Sequence, residues 1–133
     1  MRWGVMRRYR VAGVLAACLV ALPSSALAET DACESTRELM ELTAEKLGEW
    51  GASTRKDHMA VLRIGTRAAT AAAWARDLGW PAEVAEALAV MRDLKGSDLE
   101  IGALREAVTE NAATVVAGMP RLCPDSAVPG IAE

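Results

Sequence analysis

The sequence predicts an all-α protein, an up-down-up-down four-helix bundle closed by one disulfide. Three observations carry that expectation. Apolar residues recur at three- and four-residue spacing along four segments, and no segment alternates apolar and polar long enough to make a strand. After residue 28 the chain holds 21 alanines, the best helix former, with no Phe and no Tyr. Two cysteines, Cys33 and Cys123, stand near the two ends of that part of the chain.

The first 28 residues read as a secretory leader rather than as fold. Arg2, Arg7, Arg8 and Arg10 precede an uncharged apolar run from Val11 to Leu22. Pro23 breaks that run, and Ala26 and Ala28 supply the small residues of a cleavage site. The run is well short of the roughly 20 residues a membrane-spanning helix needs. Cleavage after Ala28 leaves one domain, residues 29–133, exported to the periplasm or secreted. Two alternatives use the same stretch. Leu15 to Cys18 resembles a lipobox, which would anchor the protein to the envelope through Cys18, although the apolar run continues past it. Arg7-Arg8 has the dipeptide of a twin-arginine signal, in a poorly matching context.

The elements follow in order. Asp31 with Glu34 has capping-box spacing and opens the first helix. Its apolar stripe is Leu39, Met40, Thr43, Leu47 and Trp50, and Gly51 ends it. Ser53 or Thr54 caps the second helix, the central one. Val61, Ile64, Gly65, Ala68, Ala71, Ala72, Ala75 and Leu78 share one of its faces. Side chains this small let neighbouring helices approach closely. Gly79 stops this helix and Trp80-Pro81 turns the corner. The third helix runs from Pro81 to about Lys95, burying Val84, Ala87, Leu88, Met91 and Leu94. Ser97 with Glu100 forms a second capping box. The fourth helix buries Ile101, Leu104, Val108, Ala112, Val115 and Met119, and Gly118 and Pro120 end it. An irregular tail begins at about residue 120.

The cysteines test the helix count. An even number in an exported chain reads as one disulfide. Bridged Cα atoms must come within about 7 Å. An up-down bundle of four helices brings the start of the first and the end of the fourth to one end. Three helices would leave the cysteines roughly 30 Å apart. Closing so long a loop stabilises by about 4–5 kcal/mol in the chain-entropy model.

Charge and motifs then bound function. All 18 acids but only 11 of the 15 basic residues follow residue 28, so the exported part carries a net charge of −7. That disfavours nucleic acid and anionic membranes and suits a partner protein with a basic surface. Glu34, Glu38, Glu41, Glu45 and Glu49 line one face of the first helix. An antiparallel hairpin sets Glu38 opposite Arg67 and Glu41 opposite Arg63, so a solvated, ion-paired face is the simplest reading. The same glutamates, Glu34 to Glu45, are also candidates for the partner surface. Trp74 falls off the alanine stripe, beside Arg67, Thr70 and Asp77, and with Trp80 is a candidate anchor. Coverage of Trp74 by the C-terminal tail is the competing expectation.

His58 is the lone histidine, and no nucleophile motif accompanies it. Paired with Met91 across helices it could hold haem or a metal, as in some four-helix carriers. The chain has no C-x-x-C-H, H-E-x-x-H, E-x-x-H or calcium-loop pattern, so no cofactor and no metal are expected. No catalytic set is present, and the protein reads as a non-enzyme. In size, helicity and cysteine pair it is similar to periplasmic immunity proteins and acid-stress chaperones. The expectation is therefore a small exported protein-interaction module, such as an inhibitor, an immunity protein or a chaperone.

Overall fold

A computed structural model of the chain describes residues 27–124. The expected leader up to residue 26, with Arg7, Arg8 and Cys18, lies outside the described residues, as does the tail from residue 125. Residues 32–124 fall in one compact unit. The described structure is all-helical. The first helix, α1, covers residues 27–48. It is followed by α2 (Thr54–Asp77), α3 (Ala82–Asp93), a short 3-10 turn (Leu94–Gly96) and α4 (Ile101–Leu122).

The buried faces are the ones periodicity selects, except that Trp50, Leu78 and Ile101, expected inside, are only partly buried at the helix ends. Leu39, Met40, Thr43 and Leu47 of α1 are buried, and so are Val61, Ile64, Gly65, Ala68, Ala71, Ala72 and Ala75 of α2. Val84, Ala87, Leu88 and Met91 of α3 join Leu104, Val108, Ala112, Val115 and Met119 of α4 in the same core. Thr36 and Thr43 are buried too, and each satisfies its hydroxyl on the carbonyl one turn earlier, Ala32 and Leu39.

Small residues set how closely the helices approach. A Cβ on Gly65 would meet the Cβ of Lys95 at 2.8 Å and the Arg92 carbonyl oxygen at 3.2 Å. Thus α2 lies almost backbone to backbone against the end of α3. Gly118 plays the same part for α4, where a Cβ would come 2.6 Å from Val84 Cγ2. One turn from that contact, Arg121 reaches Glu83 at 3.7 Å.

The helix ends differ from expectation in three places. Asp31 lies within helical backbone that already covers residue 27, so Asp31 and Glu34 do not form the start of α1. Ser97 does not cap α4. Its hydroxyl accepts from the Leu99 amide in a local turn, and the helix starts at Ile101 with Glu100 at its N-cap. Gly118 and Pro120 do not stop α4, which continues to Leu122. Gly118 is there for packing. Pro120 is tolerated near a helix end because its missing N–H removes only one bond, and the Cys123 amide still reaches Met119 at 2.7 Å. The glycine stops at the other two corners hold. Gly51 and Gly79 adopt φ of 97° and 66°, where a side chain is strained.

Ser53 caps α2 as the sequence suggests, accepting from the Lys56 amide at 3.1 Å. The sulfurs of Cys33 and Cys123 lie at disulfide distance, 1.95 Å, with their Cα atoms 5.8 Å apart.

Candidate functional site

The outward side of α1 and α2 holds most of the candidates. Glu34, Glu41 and Glu45 are exposed, and Glu38 is half-buried. Glu38 meets Arg67 of α2 at 3.9 Å, the pairing the hairpin register calls for. Glu41 does not pair with Arg63. It accepts from Arg37 at 2.8 Å, one turn earlier on its own helix, which is the shorter reach. These are surface pairs, each worth at most about 1 kcal/mol.

The two tryptophans part company. Trp80 is partly buried and packs against the core. Trp74 is also half-buried but lies in a shallow open hollow with Ala69, Thr70, Ala73 and Asp77. Glycine and alanine on the inner face of α2 leave no room for an indole, so Trp74 is displaced to the outer side. The tail expected to cover it lies outside the described residues beyond residue 124.

His58 and Met91 share no site. His58 is exposed near the start of α2, whereas Met91 has no accessible surface and packs among α3's core residues. A common axial-ligand site would require the core around Met91 to open. Among the described residues, no three His, Cys, Asp or Glu side chains gather as metal ligands. None of the described helices is long and apolar enough to cross a membrane.

Two features escape sequence reasoning. The first is Asp57, which is only 6% exposed. Both of its carboxylate oxygens accept from the Gly51 amide, at 3.1 and 3.2 Å. A carboxylate in the first turn of α2 is favoured by the helix dipole, and here it also ties down the corner between α1 and α2. The second is a groove along the α1–α2 seam, about 630 Å³ at the corner and continuing into a smaller hollow of about 250 Å³. Met59 and Arg63 line both parts. Met59 and Leu62 are 52% and 46% exposed. The available signal was two apolar residues three apart on the charged side of α2, off the alanine stripe.

Comparisons with protein-family models, with curated proteins and with solved structures give no match for this chain.

Proposed function

We propose that this protein is an exported helical module that binds another protein, in the manner of an inhibitor, an immunity protein or a chaperone. On this reading the leader is removed after Ala28 and the chain works in the periplasm or outside the cell. It acts by binding rather than by catalysis. The helices run up-down-up-down. That order is supported by the Glu38–Arg67 and Glu83–Arg121 pairs and by the closeness of Cys33 to Cys123. A disulfide between those cysteines closes the bundle in an oxidising compartment.

The observation that carries the reading is Trp74. A large aromatic side chain half-exposed over an open hollow, outside the core, is the residue type most often found at the centre of protein contacts. In the register that sets Glu38 opposite Arg67, the partner-surface glutamate nearest its level is Glu34, about one turn away. Asp77 lines the same hollow as Trp74, so the aromatic anchor has a carboxylate beside it, suited to a partner with a basic surface. The net charge of −7 after residue 28 steers such a partner at long range.

The test compares partner capture by the wild-type protein with three variants, Trp74→Ala, Trp80→Ala and His58→Ala. Trp74→Ala should weaken binding by about 2 kcal/mol or more, roughly thirtyfold. Raising salt should slow association, and His58→Ala should change nothing at neutral pH. Loss of activity in His58→Ala with Trp74→Ala and Trp80→Ala both intact would replace the interaction reading with a haem or metal carrier. Intact mass of the exported product, beginning at Glu29, tests the processing. A lipid-modified Cys18 would make it an anchored envelope protein.

A further inference from the structure

The α1–α2 groove shares no lining residue with the Trp74 hollow and is richer in cations. Its apolar side chains are Leu42, Met59 and Leu62. Its rim carries four cations, Lys46, Lys56, Arg63 and Arg67, against one exposed carboxylate, Glu49. Two of these are only loosely engaged, Lys46 with Glu49 at 3.4 Å and Arg67 with Glu38 at 3.9 Å. Lys56 and Arg63 form no ion pair among the described residues. The one buried carboxylate at the groove, Asp57, is turned onto the Gly51 amide. On a chain whose exported part is strongly acidic, this is a local patch of uncommitted positive charge beside exposed apolar surface.

We propose that this groove docks an acidic amphipathic helical segment of a partner protein. Its apolar side chains would sit on Leu42, Met59 and Leu62, and its carboxylates would meet Lys56 and Arg63. The dimensions suit a helix. From Lys56 to Arg67 the cationic rim of α2 extends roughly 16 Å, about three turns. An open trough between two helices is the usual receptor for an amphipathic helix. Met59 gives it an adaptable apolar contact, since methionine is unbranched and polarizable. A second copy of this chain fits less well. Face-to-face packing on this patch would oppose Lys56 and Arg63 with the same cations of the other copy. An anionic membrane fits less well too, because the apolar groups line a recess rather than a protruding edge.

The experiment uses the whole protein labelled at its methionine methyl groups and a synthetic helix of about four turns. The helix carries leucines at i, i+3, i+4 and i+7 and glutamates elsewhere. Met40, Met91 and Met119 have no accessible surface and serve as internal references. The acidic helix should shift the Met59 methyl signal and leave those three in place. Arg63→Glu and Lys56→Glu, each checked for unchanged helicity, should weaken binding about tenfold or more. A lysine version of the helix should bind at least about tenfold more weakly than the acidic one. Trp74→Ala should leave this binding unchanged, which separates it from the partner face proposed above. The proposal is overturned by no Met59 shift at millimolar peptide, or by equal binding of the lysine version. It is equally overturned if phosphatidylglycerol vesicles move Met59 and the peptide does not, which would assign a membrane. A Met59 shift that follows protein concentration alone would assign a second copy.

Discussion

Replacing Gly118 with alanine tests the close approach of α3 and α4. The added Cβ would lie 2.6 Å from Val84 Cγ2, about 1 Å inside an ordinary carbon–carbon contact. Val84 cannot swing aside. It is 1% exposed, and a β-branched side chain in a helix has one strongly preferred rotamer. Overpacking of this kind costs about 1–3 kcal/mol. Alanine is the better helix former by about 0.8–1.0 kcal/mol, and position 118 gains less than the full amount because it lies in the last two turns. The net expectation is a loss of about 1 kcal/mol, or several degrees in Tm for a domain this size.

The discriminating measurement is a double-mutant cycle. Val84→Ala removes the atom that would clash, so in that background Gly118→Ala should be neutral or stabilising. A coupling of about 1–3 kcal/mol follows. Urea denaturation of the four proteins, with unchanged slope, reads it directly. Gly48→Ala is the control, since nothing lies within 4 Å of its added Cβ. Equal effects of Gly118→Ala in both backgrounds, or stabilisation in the wild type, would refute the close contact.

Ala72→Leu should destabilise by about 1–3 kcal/mol in the same assay, because Ala72 is 6% exposed on the inner face of α2. A loss below about 0.5 kcal/mol would mean that the face is not packed. Alkylation without reductant should label neither Cys33 nor Cys123, and Cys33→Ser should lower Tm while leaving low-temperature helicity unchanged. The Asp93 carboxyl should titrate below the ordinary value because Arg92 donates to both its oxygens, at 2.8 and 3.2 Å. Its folded-state pKa is lowered, so its contribution to stability is present above about pH 4 and lost as pH falls through the lowered value. Carboxyl NMR of wild type and Arg92→Ala checks this, and an unchanged Asp93 titration would refute it.

Most of the core was legible because burial on a helix repeats with the helix. Every residue from Val84 to Leu94 expected inside is inside, and the glycine–alanine face of α2 is the buried one. Helix ends were harder to read. Ser97 and Glu100 have capping-box spacing, yet the 3-10 turn at Leu94–Gly96 shifts the start of α4 beyond them. Gly118 and Pro120 read locally as a stop. Only the neighbouring helix reveals that Gly118 makes room for Val84. The groove was illegible for a related reason. Met59 and Leu62 stand off the alanine stripe of α2, but Leu42 belongs to another helix, and only the fold brings it beside them. Asp57 looks like an ordinary first-turn acid until the left-handed Gly51 brings its amide round to meet it.

The link between α1 and α2 joins these features into one argument about charge. Out to a Debye length, about 8–10 Å at physiological salt, an approaching partner meets the net field of the chain, which is negative after residue 28. A basic partner feels that field before contact, so its association should slow as salt rises. An acidic segment approaching the groove is repelled by the same field and attracted only close to Lys56 and Arg63. Salt therefore acts twice on that segment, easing its approach and weakening its final contacts, so its affinity should vary less with ionic strength than that of a basic partner. The two surfaces can then be told apart by salt dependence alone. The Asp57–Gly51 tie matters to this contrast. It holds the Asp57 carboxylate buried and turned toward Gly51, so the exposed charged groups of the rim are Lys56, Arg63, Arg67 and Glu49.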